Sequence, residues 1–136
     1  MKTFAIVAAL SVASAVATAH DLRVEVLNAR SSNGYVAAAV YADGKAWLQD
    51  GQSVQVARVQ AADKSVLLFA NLPAGRYAVS VFHDENGNGK LDKNVMGIPT
   101  ERYGFSRDAR GTMGPPSFAD AAVDVGADTA ITVHLQ

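Results

Sequence analysis

The chain contains no cysteine. It therefore has no disulfide framework and no thiol nucleophile, and its stability has to come from packing, with bound metal as the only other staple. No run of like charge exists either: 12 Lys plus Arg stand against 13 Asp plus Glu, for a formal net charge of -1. Without a basic block, the electrostatic footprint of a nucleic-acid binder or of a protein held on an anionic membrane is missing. No window carries a sustained 3.6-residue period with caps, which excludes helical architectures. No pair of carboxylates reads as a glycosidase acid and base. Gly104-Phe105-Ser106-Arg107-Asp108 opens like a nucleophile elbow, but it has neither the closing glycine nor the strand-then-helix context.

What is present begins with a leader. Met1-Lys2 is positive, Phe4 to Val16 is apolar or small, and Ala17-Thr18-Ala19 is a small-residue cleavage site. Residues 1–19 are expected to be a signal peptide, leaving His20 at the mature N-terminus and a β domain over 20–136. The run is too short and too rich in Ala and Ser for a membrane span, so no membrane insertion is expected after cleavage. The product is expected to be exported, either periplasmic or secreted.

From Leu22 onward the period is two. Leu22, Val24 and Val26 alternate with polar residues, and Tyr35 to Tyr41 is apolar throughout. Between them, Asn33-Gly34 suits the positive φ angles of a tight hairpin. Trp47 and Leu48 are expected to cap a sandwich end. Val54, Val56 and Val59 mark a third strand with a bulge, and Val66 to Phe69 a fourth. Tyr77, Val79 and Val81 form the inward face of a fifth, which His83 continues as a hydrogen-bonded core histidine. Phe118 to Val125 reads as a further strand. Ile131, Val133 and Leu135 mark the last, with Thr132 and His134 facing out. Seven or eight short strands predict an all-β fold, a single antiparallel sandwich.

One stretch implies specific chemistry. Asp84, Asn86, Asn88 and Asp92 place side-chain oxygens at positions 1, 3, 5 and 9 of a loop. Gly89 occupies position 6, Lys90 offers a backbone carbonyl at position 7, and Leu91 is the apolar anchor at position 8. This is most of the pattern that wraps oxygen ligands around calcium. Position 12 is Val95, where a bidentate Glu belongs. The site is therefore expected to be weak, with Glu101 as the replacement carboxylate. An ordinary Asx/Gly turn that caps its own backbone is the competing reading.

Beyond Asp92 lies a long Gly- and Pro-rich segment carrying Arg102, Arg107 and Arg110. Such a length without periodicity points to function or mobility. Arg102, Tyr103, Phe105 and Ser106 are the candidate ligand contacts, although Tyr103 and Phe105 also suit a plug at the sandwich end. A third possibility is copper: an N-terminal His20, with His83 or His134, offers a nitrogen-rich site.

Asn71-Leu72-Pro73-Ala74-Gly75-Arg76-Tyr77-Ala78-Val79 leads through the acidic loop to Gly97-Ile98-Pro99-Thr100-Glu101, Tyr103-Gly104-Phe105-Ser106 and Gly114-Pro115-Pro116-Ser117-Phe118. Together these resemble the bacterial domain-of-unknown-function 2141 family of small exported proteins. The Leu-Pro-x-Gly-x-Tyr turn is also similar to prealbumin-like and carboxypeptidase-regulatory-like modules. The resemblance implies an Ig-like or prealbumin-like sandwich and export, and it carries no activity. The leading expectation is a non-enzymatic module of the bacterial envelope with an envelope or extracellular partner and a calcium-stabilised loop that orders residues 97–118. The alternatives are a small enzyme or ligand carrier that uses 97–118 as its site, and a copper protein.

Overall fold

The computed structural model describes residues 18–136. The expected leader, apart from Thr18 and Ala19, lies outside them. Eight strands run β1 (Ala19–Leu27), β2 (Tyr35–Tyr41), β3 (Gln55–Gln60), β4 (Lys64–Pro73), β5 (Gly75–Asp84), β6 (Tyr103–Phe105), β7 (Val123–Val125) and β8 (Thr129–His134). A four-residue helix, α1 (Phe118–Ala121), precedes β7. The strands form two sheets. One has the order β4-β1-β8; the other is β3-β2-β5-β6, with β7 also paired to β5.

The sandwich follows from the period-2 pattern. Leu22, Val24 and Val26 of β1 and Leu67 and Phe69 of β4 are buried against Val36 and Val40 of β2 and Val79 and Val81 of β5. Each fully buried aliphatic side chain contributes about 1.5–3 kcal/mol relative to exposure. Tyr77, Val79, Val81 and His83 all face inward along β5, as the alternation predicts.

Several local expectations change. The pairing of β1 with β8 is parallel, so one ladder departs from the antiparallel scheme. Asn33-Gly34 does turn with positive φ (68° at Gly34), but it carries the chain from one sheet to the other and closes no hairpin. The bulge expected in β3 is absent. Its register with β2 is unbroken, and Val56 faces solvent while Val59 faces in. The irregularity sits in β1 instead, between His20 and Leu22.

Phe118 to Val125 is not one strand. Ser117 accepts the Asp120 N–H and starts α1, and only Val123–Val125 pairs with β5. A serine N-cap satisfies an otherwise orphaned donor, and this local bond outweighs the apolar run. Trp47 does not cap the sandwich end. It joins Ala78, Phe105 and Ala121 in a second apolar cluster. Ala78 points away from inward-facing Tyr77 and Val79, so this cluster lies on the outer face of the larger sheet. The Trp47 indole N–H donates to the Pro116 carbonyl at 2.9 Å, which ties the long segment down.

Candidate functional site: the acidic loop and its brace

Strand β5 is flanked by β2 on one side and by β7 and β6 in succession on the other. A strand held on both edges is a rigid mount, and the acidic loop leaves from its end. Asp84, the last residue of β5, is 2% exposed. Its Oδ1 accepts the Asn88 N–H at 3.2 Å and its Oδ2 the Gly89 N–H at 2.7 Å. The loop can double back this tightly because Gly87 and Gly89 adopt φ of 68° and 78°. Gly34 packs under it, where a Cβ would fall 2.0 Å from the Asp84 carbonyl oxygen.

Asn86 Oδ1 accepts the Asn88 N–H at 3.3 Å, and Asn88 Oδ1 accepts the Lys90 N–H at 3.0 Å. These are Asx turns of the competing reading. Both amides also turn to Asp92: Asn86 Nδ2 donates to Oδ2 at 2.5 Å, and Asn88 Nδ2 to Oδ1 at 2.6 Å. Asp92 thereby draws in the Asn86 and Asn88 side chains, while Asp84 holds the backbone of the same turn through the Asn88 and Gly89 N–H groups. Lys90 is exposed, and its carbonyl accepts no hydrogen bond among the described residues. Leu91 is half-buried. Among the described residues, no three His, Asp or Glu side chains form a metal-holding group by themselves. Any ligand set here depends on the amides and a backbone carbonyl.

Glu101 reaches the loop, and it does so as a brace. At 6% exposure, its Oε2 accepts the Glu85 N–H at 2.7 Å and its Oε1 the Asp92 N–H at 2.9 Å. The Asp92 carbonyl in turn accepts the Thr100 N–H at 2.8 Å, and a bridge joins Lys93 to Pro99. Residues 97–102 are therefore strapped along the loop. The tip between them, shaped by Asn94 accepting the N–H groups of Met96 and Ile98, holds Val95, Met96 and Ile98 in solvent.

The candidate ligand residues separate. Arg102 donates to the Asn28 carbonyl at 2.7 Å and does not line the cavity that Tyr103 and Phe105 border. Tyr103 is 37% exposed on β6. Phe105 is buried beside Trp47, with ring centroids 5.8 Å apart. Ser106 is fully buried; its hydroxyl accepts the Val79 N–H at 2.9 Å and donates to the Ala121 carbonyl. Tyr103 and Phe105 do border a cavity of about 250 Å³, whose other walls include Asp108, Arg110, Pro116 and His134. Asp108 and His134 make a hydrogen-bonded couple with Oδ2 2.8 Å from Nδ1. The sequence signalled only that His134 faces outward; a partner 26 residues away has no local trace.

The three histidines do not meet. His83 is fully buried, accepting the Arg30 N–H on Nδ1 at 3.2 Å and lying 2.7 Å from the Asn33 carbonyl through Nε2. His20 pairs with Leu72 at one end of β1, while His134 aligns with Leu27 at the other. Seven residues of extended chain separate His20 from Leu27, about 23 Å at 3.3 Å per residue. His20 and His134 thus stand at opposite ends of β1.

Two tyrosines are perturbed. Burial, with Asp50 adding to it, raises the Tyr41 pKa, and burial alone raises that of Tyr77.

No curated protein and no solved structure matches the chain. Residues 24–133 match the family described as "Uncharacterized protein conserved in bacteria (DUF2141)", and the chain belongs to that family.

Proposed function

We propose that this is a non-enzymatic, exported binding module of the bacterial envelope whose acidic loop takes calcium weakly and for structural ends. The ligands are the side chains of Asp84, Asn86, Asn88 and Asp92 and the Lys90 carbonyl. Glu101 braces the loop against residues 97–118. Export rests on the leader pattern of residues 1–19.

The observation that carries the reading is the Glu101 carboxylate, which joins the first and last parts of the acidic loop through the N–H groups of Glu85 and Asp92. An ordinary surface turn does not need a buried carboxylate from sixteen residues away. Rotating the Asn86 and Asn88 amides about their terminal torsions exchanges Nδ2 for Oδ1 without moving the backbone. That turn brings two more oxygens toward Asp92, and a cation among them offsets the repulsion between Asp84 and Asp92. With Val95 at position 12, the affinity belongs to the extracellular class, roughly 10⁻⁴–10⁻³ M.

The test is the melting temperature of chain 20–136 in chelator and then in millimolar calcium, magnesium or copper. Calcium at ten times its dissociation constant, about 1–10 mM for an affinity in that range, adds about 1.4 kcal/mol, several degrees for a domain of this size. The rise should be specific to calcium and lost in Asn88→Ala, an exposed position whose substitution leaves the fold intact. No rise, or an equal rise with magnesium, sinks the proposal.

A further inference from the structure

The cavity beside β8 is independent of the acidic loop, and its polar groups are arranged at a cost. Arg107 and Asp108 both adopt left-handed φ, 61° and 48°. Two successive non-glycine residues in that region are strained, and such strain persists where surrounding contacts demand it. Here it sets the Asp108 carboxylate against one residue of β8. Oδ1 accepts the His134 backbone N–H and Oδ2 faces ring Nδ1, each at 2.8 Å. Capping the strand would use one oxygen; the second fixes the ring.

An ionised carboxylate only accepts, so the Nδ1 proton lies between the pair and Nε2 of the neutral ring is an acceptor. Nε2 has no partner among the described residues. Arg110, on the same cavity wall, makes no hydrogen bond or ion pair among the described residues either. Tyr103, Phe105 and Pro116 supply apolar wall. The far side is held by Gly111, where a Cβ would lie 2.2 Å from the Gly114 carbonyl oxygen.

We propose that this cavity binds a small aromatic acid bearing a hydroxyl or amine, with its carboxylate on Arg110, its donor group on His134 Nε2 and its ring against Tyr103 and Pro116. An oriented acceptor, an unpaired guanidinium and apolar wall around about 250 Å³ suit such a molecule and not a simple inorganic anion. Asp108 acts as a positioning residue, holding the imidazole.

The experiment is an amide and imidazole NMR titration of chain 20–136 with 4-hydroxybenzoate, benzoate and inorganic phosphate. For 4-hydroxybenzoate the expected result is saturable shifts confined to 103–116 and 134–136. Arg110→Ala, an exposed position, should weaken binding on the order of tenfold without disturbing the free spectrum. Benzoate, which lacks the donor, should bind several-fold more weakly, and that gap should close in His134→Ala. Non-saturating shifts, unchanged affinity in Arg110→Ala, or phosphate binding as tightly as 4-hydroxybenzoate would each overturn the assignment.

Discussion

Glu101 and Glu85 are joined by a bond from a backbone N–H to a carboxylate at 2.7 Å, and the acceptor is almost wholly buried. Because the same carboxylate takes the Asp92 N–H, Glu101 is the point where the acidic loop and the segment after it become one unit. Bonds to a charged acceptor contribute about 1.5–3 kcal/mol, and stranded donors in a buried site add a penalty. Glu101→Ala should therefore cost roughly 2–4 kcal/mol of unfolding free energy in urea, and Glu101→Gln clearly less, since one acceptor remains. An alanine variant within 0.5 kcal/mol of the parent would show that the brace is not stabilising.

The Asn86 and Asn88 amides face Asp92 through their Nδ2 atoms. Calcium ligation requires the opposite face, because only Oδ1 can coordinate. Titrating calcium should move the side-chain NH₂ resonances of both residues more than those of distant Asn71. Asn86→Asp should tighten binding by adding a carboxylate. If calcium leaves both amide pairs unmoved, the loop is an Asx turn and nothing more.

The sandwich was legible because inward positions on β1, β2 and β5 repeat strictly in twos and are apolar, and His83 could be placed by that count alone. That Glu101 reaches the acidic loop was legible from spacing and from the scarcity of other acids nearby; that it does so by accepting the Glu85 and Asp92 N–H groups was not. What escaped was decided by distant or competing bonds. Asn33-Gly34 has hairpin chemistry, yet β1 finds its partners in β4 and β8, so the turn becomes a crossing between sheets. Ser117 stops a strand by capping a helix. Trp47 looked like an end plug, whereas its indole N–H found a carbonyl 69 residues on, over the outer sheet face. Asp108 and His134 meet only because of a strained turn, and no local pattern announces strain.

Ser106 illustrates how an elbow-like sequence can be purely structural. Its hydroxyl is fully buried and links β5 to the end of α1 by serving Val79 and Ala121. Ser106→Ala should cost about 1–3 kcal/mol, the usual penalty for leaving buried backbone groups unpaired. Hydrogen exchange should quicken at the Val79 amide. Protection there equal to that of the parent would mean that the hydroxyl is dispensable.

Tyr77 provides a pH test whose sign follows from its burial. The side chain is 6% exposed and its hydroxyl donates to the Pro73 carbonyl, closing the Pro73-Ala74-Gly75 turn. Burial raises its pKa above the ordinary 10.0, and Tyr41 is shifted the same way by burial and then by Asp50. The unfolded chain thus loses these protons first. The contribution of each group is fully present below about pH 10 and is lost as the pH climbs through the raised folded value. The melting temperature should accordingly fall as the pH rises past about 10. Tyr77→Phe should be about 0.5–1.5 kcal/mol less stable near neutrality, from the lost hydrogen bond, and its alkaline decline should be shallower. Parallel declines for parent and variant would mean that Tyr77 ionises as readily folded as unfolded.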